Sequence, residues 1–431
     1  MSFAFRALRY RNYRLFFGGQ TVSLVGSWMT RIAVAWLVYR LTGSAVLLGV
    51  VSFAGQIPTF LVAPFAGVWV DRWNRHTVLV VTQSAAMVQS FALAWLALTH
   101  INMAEIIALS ALQGLINAFD MPGRQSFVVD MVEQRADLGN AIALNSSMVN
   151  MARLAGPALG GLIIAGWGEG YCFLIDGISY LAVIASLLAM RELPQRARAV
   201  RQSMVVSLRE GWAYASGFAP ARMLLILLAL VSLLGMPYTV LMPIFAGSVL
   251  HGGAHTLGFL MGSAGCGALA AALALAARKS VRGLTRLVPI SAAIFGAALV
   301  GFSFSRWTGL SLAIIFFAGL GMMQQMASTN TILQTIVTEE KRGRLMSYYT
   351  MAFVGMAPWG SLLSGWLASR IGAPRTLMLT GTGCVIGAAW FAMRLPTLRA
   401  AIRPIYEQLG IIQEMNAALQ TSASLTTPPE E

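Results

Sequence analysis

The sequence predicts an all-α polytopic membrane protein with twelve transmembrane helices arranged as two six-helix pseudo-repeats. Three observations predict it. Of 431 residues, 57% are hydrophobic and only 11% are charged, where a soluble domain carries roughly 25% charged residues. Apolar runs of about 20 residues recur from end to end, each long enough to cross a hydrocarbon core of about 30 Å as a helix; a β-barrel would show shorter, alternating segments. A glycine pattern also repeats, with Gly139, Gly156, Gly161 and Gly168 returning at Gly343, Gly360, Gly365 and Gly372, a shift of 204 residues.

The apolar runs place the spans at 15–39, 44–68, 77–99, 103–123, 139–166, 170–190, 221–249, 256–277, 285–304, 308–334, 345–369 and 374–394. They divide the chain into an N-terminal bundle (1–190), a linker (191–220), a C-terminal bundle (221–396) and a tail (397–431). Ser207–Phe218 reads as an interfacial helix in the linker, and 398–420 as a surface helix with Ile402, Ile405, Leu409 and Ile412 on one face. The last eleven residues, rich in Thr and Ser, read as a disordered tail.

Orientation follows from the basic residues. Twenty-four of the 30 Lys and Arg fall in loops on the side of the N-terminus, and four (Arg40, Arg306, Arg370, Arg375) on the other. That bias predicts both termini in the cytoplasm. It also accounts for the net charge of +14 through topology and anionic headgroups, which removes the case for nucleic acid as a partner. The first span has no convincing cleavage site behind it and reads as an uncleaved helix.

Cys172, Cys266 and Cys384 are far apart in apolar segments, and His251 and His255 lie in a Gly-Gly-Ala loop. Neither set has metal-ligand spacing, so no metal or other cofactor is expected. A phosphate-binding GxxxxGK[ST] loop and a nucleophile elbow are both missing from the sequence, so no enzyme is expected.

Between spans two and three stands a short charged turn, Gly67-Val68-Trp69-Val70-Asp71-Arg72-Trp73-Asn74-Arg75-His76. It resembles the signature between the second and third helices of the major facilitator superfamily, with Asn74 in place of the usual second glycine. Asn is the residue that most readily substitutes where a left-handed backbone is needed. Ala155-Gly156-Pro157-x-x-Gly160-Gly161 resembles the helix-five motif of that superfamily's drug:proton antiporters. Residues 30–49, 118–132 and 138–161 resemble the exporter branch that includes the enterobactin exporter and macrolide efflux pumps. The resemblance covers about residues 5–395 and implies a monomeric exporter of small amphipathic molecules, drug-like compounds or siderophores, by proton antiport. A lipid-like cargo, an uptake symporter and a non-transporting receptor on the same fold are the alternatives. In the second half the turn's counterpart runs from Ala277 to Arg282, with alanine where the aspartate stood.

Ionisable groups inside a span cost roughly 2.5–3.5 kcal/mol each on insertion scales and mark function by default. They are Arg31, Asp120, Arg124, Arg153 and Asp176, all in the first half; no acidic residue lies between Glu210 and Glu339. A membrane carboxylate that carries protons therefore belongs to the first half. Gln113, Asn117, Asp120 and Arg124 share one face of helix four, either as a polar packing seam or as a cavity stripe ending in a gate. The resemblance implies that Asp120 pairs with Arg72 or Arg75 of the turn, with Asp71 beside them. Ser146, Asn150, Arg153 and Pro157 make a similar face on helix five, beside Gly156 and Gly160, whose spacing permits close helix approach. Arg153 reads either as the partner of a first-half acid or as a cationic site for an anionic substrate and a sensor of Asp120. Arg31 and Asp176 sit at matching depths, about 13 Å and about 10 Å from the far surface at 1.5 Å per residue, which predicts an ion pair between them. Asp120 is then the better proton carrier, with Asp130 beyond the span. Tyr238, Gln324 and Gln325, among methionines and aromatics, complete the predicted cavity from the second half, and Pro237 and Pro243 predict a loosened helix seven.

Overall fold

In hydrocarbon every backbone N–H and C=O must be bonded within its own segment, so a chain of apolar runs resolves into helices. The computed structural model describes residues 3–191, 213, 216–278 and 280–411, leaving aside the side chains at 3, 4, 64, 68, 71, 135 and 340. The first half holds α1 (Arg11–Thr42), α2 (Ala45–Arg72), α3 (Arg75–Leu98), α4 (Met103–Met131), α5 (Arg135–Trp167) and α6 (Glu169–Leu188). The second holds α7 (Ala219–Val249), α8 (Ala254–Ala276), α9 (Leu284–Phe304), α10 (Thr308–Ile336), α11 (residues 339–371) and α12 (Ala373–Met393). A thirteenth helix, α13 (Leu395–Gln408), follows.

Local chemistry explains the boundaries. Ser44 accepts from the Leu47 amide to start α2, and Asn102 and Glu105 form a reciprocal capping box at α4. Gly168 and Gly372, related by the repeat, both carry φ near +90° (95° and 85°) where α5 turns into α6 and α11 into α12. A side chain is strained in that region, so the glycines are required there.

Eleven of the described helices are long and apolar enough to cross a membrane. The twelfth crossing, α11, is split: Glu339–Thr350, a π turn at Met351–Gly355, then Met356–Ile371. The predicted loosening of helix seven is present as a break after Leu234, where Gly235, Met236 and Pro237 interrupt the helix, and as a second π turn at Phe245–Val249. One expected boundary is corrected: α4 does not end at 123 but continues through Pro122 to Met131. Proline forfeits one intrahelical bond, while Phe127, Val128 and Met131 beyond it are buried against Tyr13, Phe16 and Leu79.

The halves meet along two pseudo-symmetric helix pairs, α5 with α8 and α2 with α11. Both seams are glycine on glycine. A Cβ at Gly258 would stand 2.6 Å from the Pro157 carbonyl and 2.9 Å from Gly161 Cα. One at Gly365 would stand 2.6 Å from the Ala45 carbonyl and 3.1 Å from Gly49 Cα. These contacts lie at the end of the bundle away from the chain termini, where Tyr39 also meets Ser248, hydroxyl to hydroxyl, at 2.7 Å. At the terminal end, a 3₁₀ turn (Phe3–Arg9) docks on the start of α5 through Arg9–Asp137 (2.6 Å) and Ala7 N–H to Asn140 (2.9 Å). The amphipathic tail helix is present as α13, burying Leu398, Ile402 and Tyr406. Leu409, expected on its apolar face, is past its end and exposed. The rest of that expected helix, most of the 207–218 segment and most of the linker lie outside the described residues.

Candidate functional site

Between the halves lies a cavity of about 490 Å³, walled by α1 to α6 on one side and by α7, α8, α10 and α11 on the other. Its polar wall belongs almost wholly to the first half: Thr30 and Arg31 from α1, Ser52 and Gln56 from α2, Gln113 and Asn117 from α4, Arg153 from α5 and Asp176 from α6. The second half contributes Met236 and Tyr238 at the α7 break, Met261, Met322 and Ser361.

Close helix approach sets the position of the arginines. A Cβ at Gly156 would collide with that of Trp28, and one at Gly160 would stand 3.1 Å from Met29 Cα. Bare glycine thus lets α5 lean on α1, and Arg153, one turn before Gly156, reaches the indole of Trp28. Its guanidinium carbon lies 5.2 Å from the ring centroid, and that of Arg31 lies 4.4 Å from it. Arg31 is exposed by area although about 16 Å of helix separates it from the far end of α1. The space it is exposed to is the cavity.

Two of the buried acids, Asp120 and Asp176, differ in kind. Asp120 is ion-paired: Arg124 Nε reaches one carboxylate oxygen at 2.8 Å, while Gln83 (2.7 Å) and Thr82 (3.1 Å) donate to the other. Asp176 is cradled by hydroxyls: Thr30 (2.8 Å) and Ser90 (2.9 Å) both donate to Oδ2, and Oδ1 has no hydrogen-bond partner.

Several expectations are corrected by this geometry. Asp120 pairs with Arg124, one turn along its own helix, and not with Arg72 or Arg75. Arg75 instead binds Asp130 at 2.8 Å, and Asp130 is within α4 because that helix runs on past Pro122. The Arg31–Asp176 ion pair is not formed, since the guanidinium lies over Trp28 and the carboxylate faces the α1–α3 seam. Matching depth does not imply matching direction around the helix. Asn150 is outside the cavity wall, donating to the Ser146 carbonyl one turn back. Gln324 and Gln325 are buried in helix packing, and Met322 takes their place on the wall. Asn74 is not left-handed (φ −69°); its side chain accepts from the His76 and Thr77 amides and caps α3. A Cβ on Gly67 would meet open space, so the turn's leading glycine has no packing duty here. Arg72 is exposed, and the Asp71 side chain lies outside the described residues.

Gln113 and Asn117 are on the cavity wall as expected and share a hydrogen bond of 3.3 Å. Tyr238 is also there, edge-on to Phe295 with ring centroids 6.0 Å apart. Gly156, Gly160 and Gly161 are packing residues, and the carbonyl of Pro157 abuts Gly258. Sequence reasoning missed Trp28, Thr30 and Ser90. The i, i+3 spacing of Trp28 and Arg31 was the available signal for the first. Nothing in the sequence marks two hydroxyls on separate helices as partners of one carboxylate.

Comparison with known proteins agrees with this architecture. A protein of Staphylococcus aureus described as a staphyloferrin A transporter is 27% identical over 391 residues, covering 88% of this chain and 96% of that protein. Macrolide efflux protein A of Streptococcus pyogenes is 23% identical, covering 87% and 94%, and multidrug efflux pump Tap of Mycobacterium tuberculosis is 25% identical, covering 88% and 92%. Among solved structures, a bacterial homolog of the human lysosomal transporter Spinster, inward-facing and occupied, superposes with a TM-score of 0.71 over 91% of this chain and 98% of its own, at 15% identity. A peptide transporter of the POT family superposes with a TM-score of 0.72 over 90% and 95%, at 10% identity. The transmembrane secretion effector family model matches residues 2–416. With its paired six-helix halves and the cavity between them, this chain belongs to that family of major facilitator transporters.

Proposed function

We propose that the protein exports small amphipathic molecules from a bacterial cytoplasm by alternating access, with protons entering in exchange. One observation carries the reading: a cavity between the halves, with glycine seams closing the end away from the termini. Placing the basic loops in the cytoplasm makes the sealed end external, so this conformation suits loading from inside. Each half of the chain supplies one wall of the cavity, and a monomer is the working unit in this reading. The relatives' names, a siderophore transporter and two efflux proteins, support export as the direction.

Proton entry acts through the first-half acids. Protonating Asp120 removes the partner of Arg124, whose guanidinium is then free to engage the loop of the charged turn. Losing one partner of a buried pair costs about 3–5 kcal/mol. That is close to the roughly 5.5 kcal/mol needed to move a two-state balance from 1:99 to 99:1, so one proton supplies most of a switch.

The test uses everted membrane vesicles under an imposed pH gradient, with ethidium, erythromycin and 2-naphthoate as probes. The wild-type protein is expected to accumulate at least one of them in a gradient-dependent way. Asp120→Asn is expected to abolish that uptake with the amount of protein in the membrane unchanged. Undiminished uptake by Asp120→Asn would remove Asp120 as the coupling acid; no gradient-driven movement of any probe would remove the antiport reading.

A further inference from the structure

Three arginines on the first half's helices have acid partners: Arg40 holds Glu169 in a two-pronged pair (2.8 and 3.1 Å), Arg75 holds Asp130, and Arg124 holds Asp120. Arg31 and Arg153, in the cavity wall, do not. Among the described residues neither makes an ion pair or a hydrogen bond, and both converge on the one indole of Trp28 in the cavity wall. A cation over an aromatic face recovers only part of what a charge inside a membrane loses in hydration. The two like charges also repel. The cavity's own acid does not compensate, because Asp176 is turned toward Thr30 and Ser90. The wall therefore holds two guanidinium forks with no anion between them.

The geometry points to an organic anion as the cargo, its acidic group bound by Arg31 and Arg153 beside Trp28. This deepens the exporter reading and rests on it. Guanidinium presents planar paired donors that match a carboxylate, and a charge-assisted bond in a low-dielectric cavity is roughly twice as strong as a neutral one. The apolar part of the cargo lies against Met236, Met261 and Met322 across the cavity. Thioether side chains adapt to varied shapes, so the anion fixes orientation while the methionine wall tolerates different bodies. The cationic clamp belongs to one half and the adaptable wall to the other, so an occupied cavity bridges both. The same chemistry would also accept the phosphate of a single-chain phospholipid.

The purified full-length protein tests this by equilibrium dialysis with 2-naphthoate and its uncharged twin, 2-naphthamide. The acid is expected to bind at least tenfold more tightly than the amide. In Arg31→Gln/Arg153→Gln that preference is expected to fall to within twofold, with amide binding unchanged. Equal binding of acid and amide by the wild type, or a preference that survives in the double variant, would overturn the proposal. A measurement on the wild type alone guards against a variant that does not fold. Phenylglyoxal is expected to label Arg31 and Arg153, and 2-naphthoate, unlike 2-naphthamide, to protect both; labelling that the acid leaves unaltered would also overturn it. Competition by 1-oleoyl lysophosphatidate at the same two arginines would assign the anion to a lipid phosphate, and lack of competition to a soluble acid; both uphold the site. Acid binding without gradient-driven uptake would sink the exporter reading and leave the anion site standing. Uptake of ethidium or erythromycin without any acid preference would do the reverse.

Discussion

The two halves share a fold and divide the chemistry unequally. In the first, the membrane-embedded helices carry Arg31, Asp120, Arg124, Arg153 and Asp176. In the second, α7 to α10 and α12 place no acidic residue inside a span, and the irregularities are in the backbone: the break at Gly235–Pro237 and the π turns at Phe245–Val249 and Met351–Gly355. Broken or π-wound turns lengthen or bend a helix without side-chain chemistry. The difference suggests a division of labour, with charge recognition and protonation in one half and backbone compliance in the other. Where the halves touch, both reduce to glycine.

The largest effect that would sharpen this contrast lies between the two acids. Asp120→Asn leaves Arg124 buried without its counter-charge, a loss of about 3 kcal/mol at the low end for breaking a buried pair. Asp176→Asn leaves no cation behind, since Thr30 and Ser90 can still donate to the amide oxygen; about 1 kcal/mol is expected, the scale of a neutral hydrogen bond. Thermal unfolding in detergent should therefore show a clearly larger drop in Tm for Asp120→Asn. Equal drops would mean that Asp176 has a charged partner and that the two acids are alike.

Next in size is the seam. Gly258→Leu places a side chain where backbone atoms of Pro157 and Gly161 already stand within 3 Å of a Cβ. Only parting of α5 from α8 can relieve that, and overpacking of this kind costs about 1–3 kcal/mol. Cysteine pairs spanning the seam should cross-link in the parent protein and lose most of that cross-linking in Gly258→Leu. Retained cross-linking would mean that the seam has slack and does not hold the external end shut.

Most of the architecture was legible because its signals are one-dimensional. Span length and the 204-residue glycine repeat both survive projection onto a sequence. The candidate site was legible in composition and poorly legible in pairing. All five charges lie on helices of the first half as expected, yet the expected partner or place of Asp120, Asp130, Arg31 and Asp176 differs from the one found. Depth along a helix can be counted in residues, but direction around the bundle depends on how neighbours pack. The Arg31–Trp28–Arg153 cluster depends on Gly156 drawing α5 onto α1, a tertiary fact. Gln324 and Gln325 failed for the same reason: their helix lines the cavity with the adjacent Met322.

The smallest effect separates the charged turn from its counterpart in the second half. In the first half, Asn74 opens α3 with extended backbone and its side chain over two amides. In the second, Gly283 opens α9 from the left-handed region (φ +81°) without a side-chain cap. If Asn74 is retained as a cap, Asn74→Ala should cost about 1 kcal/mol and Asn74→Gly only a few tenths, the usual ranking at that position. If a left-handed turn were needed instead, glycine would match or exceed asparagine and alanine would be strained. Chemical unfolding of the three proteins decides between these, and the order Asn, Gly, Ala in falling stability is expected. That order would follow from the two hydrogen bonds that the Asn74 side chain accepts from the His76 and Thr77 amides, which neither glycine nor alanine can supply.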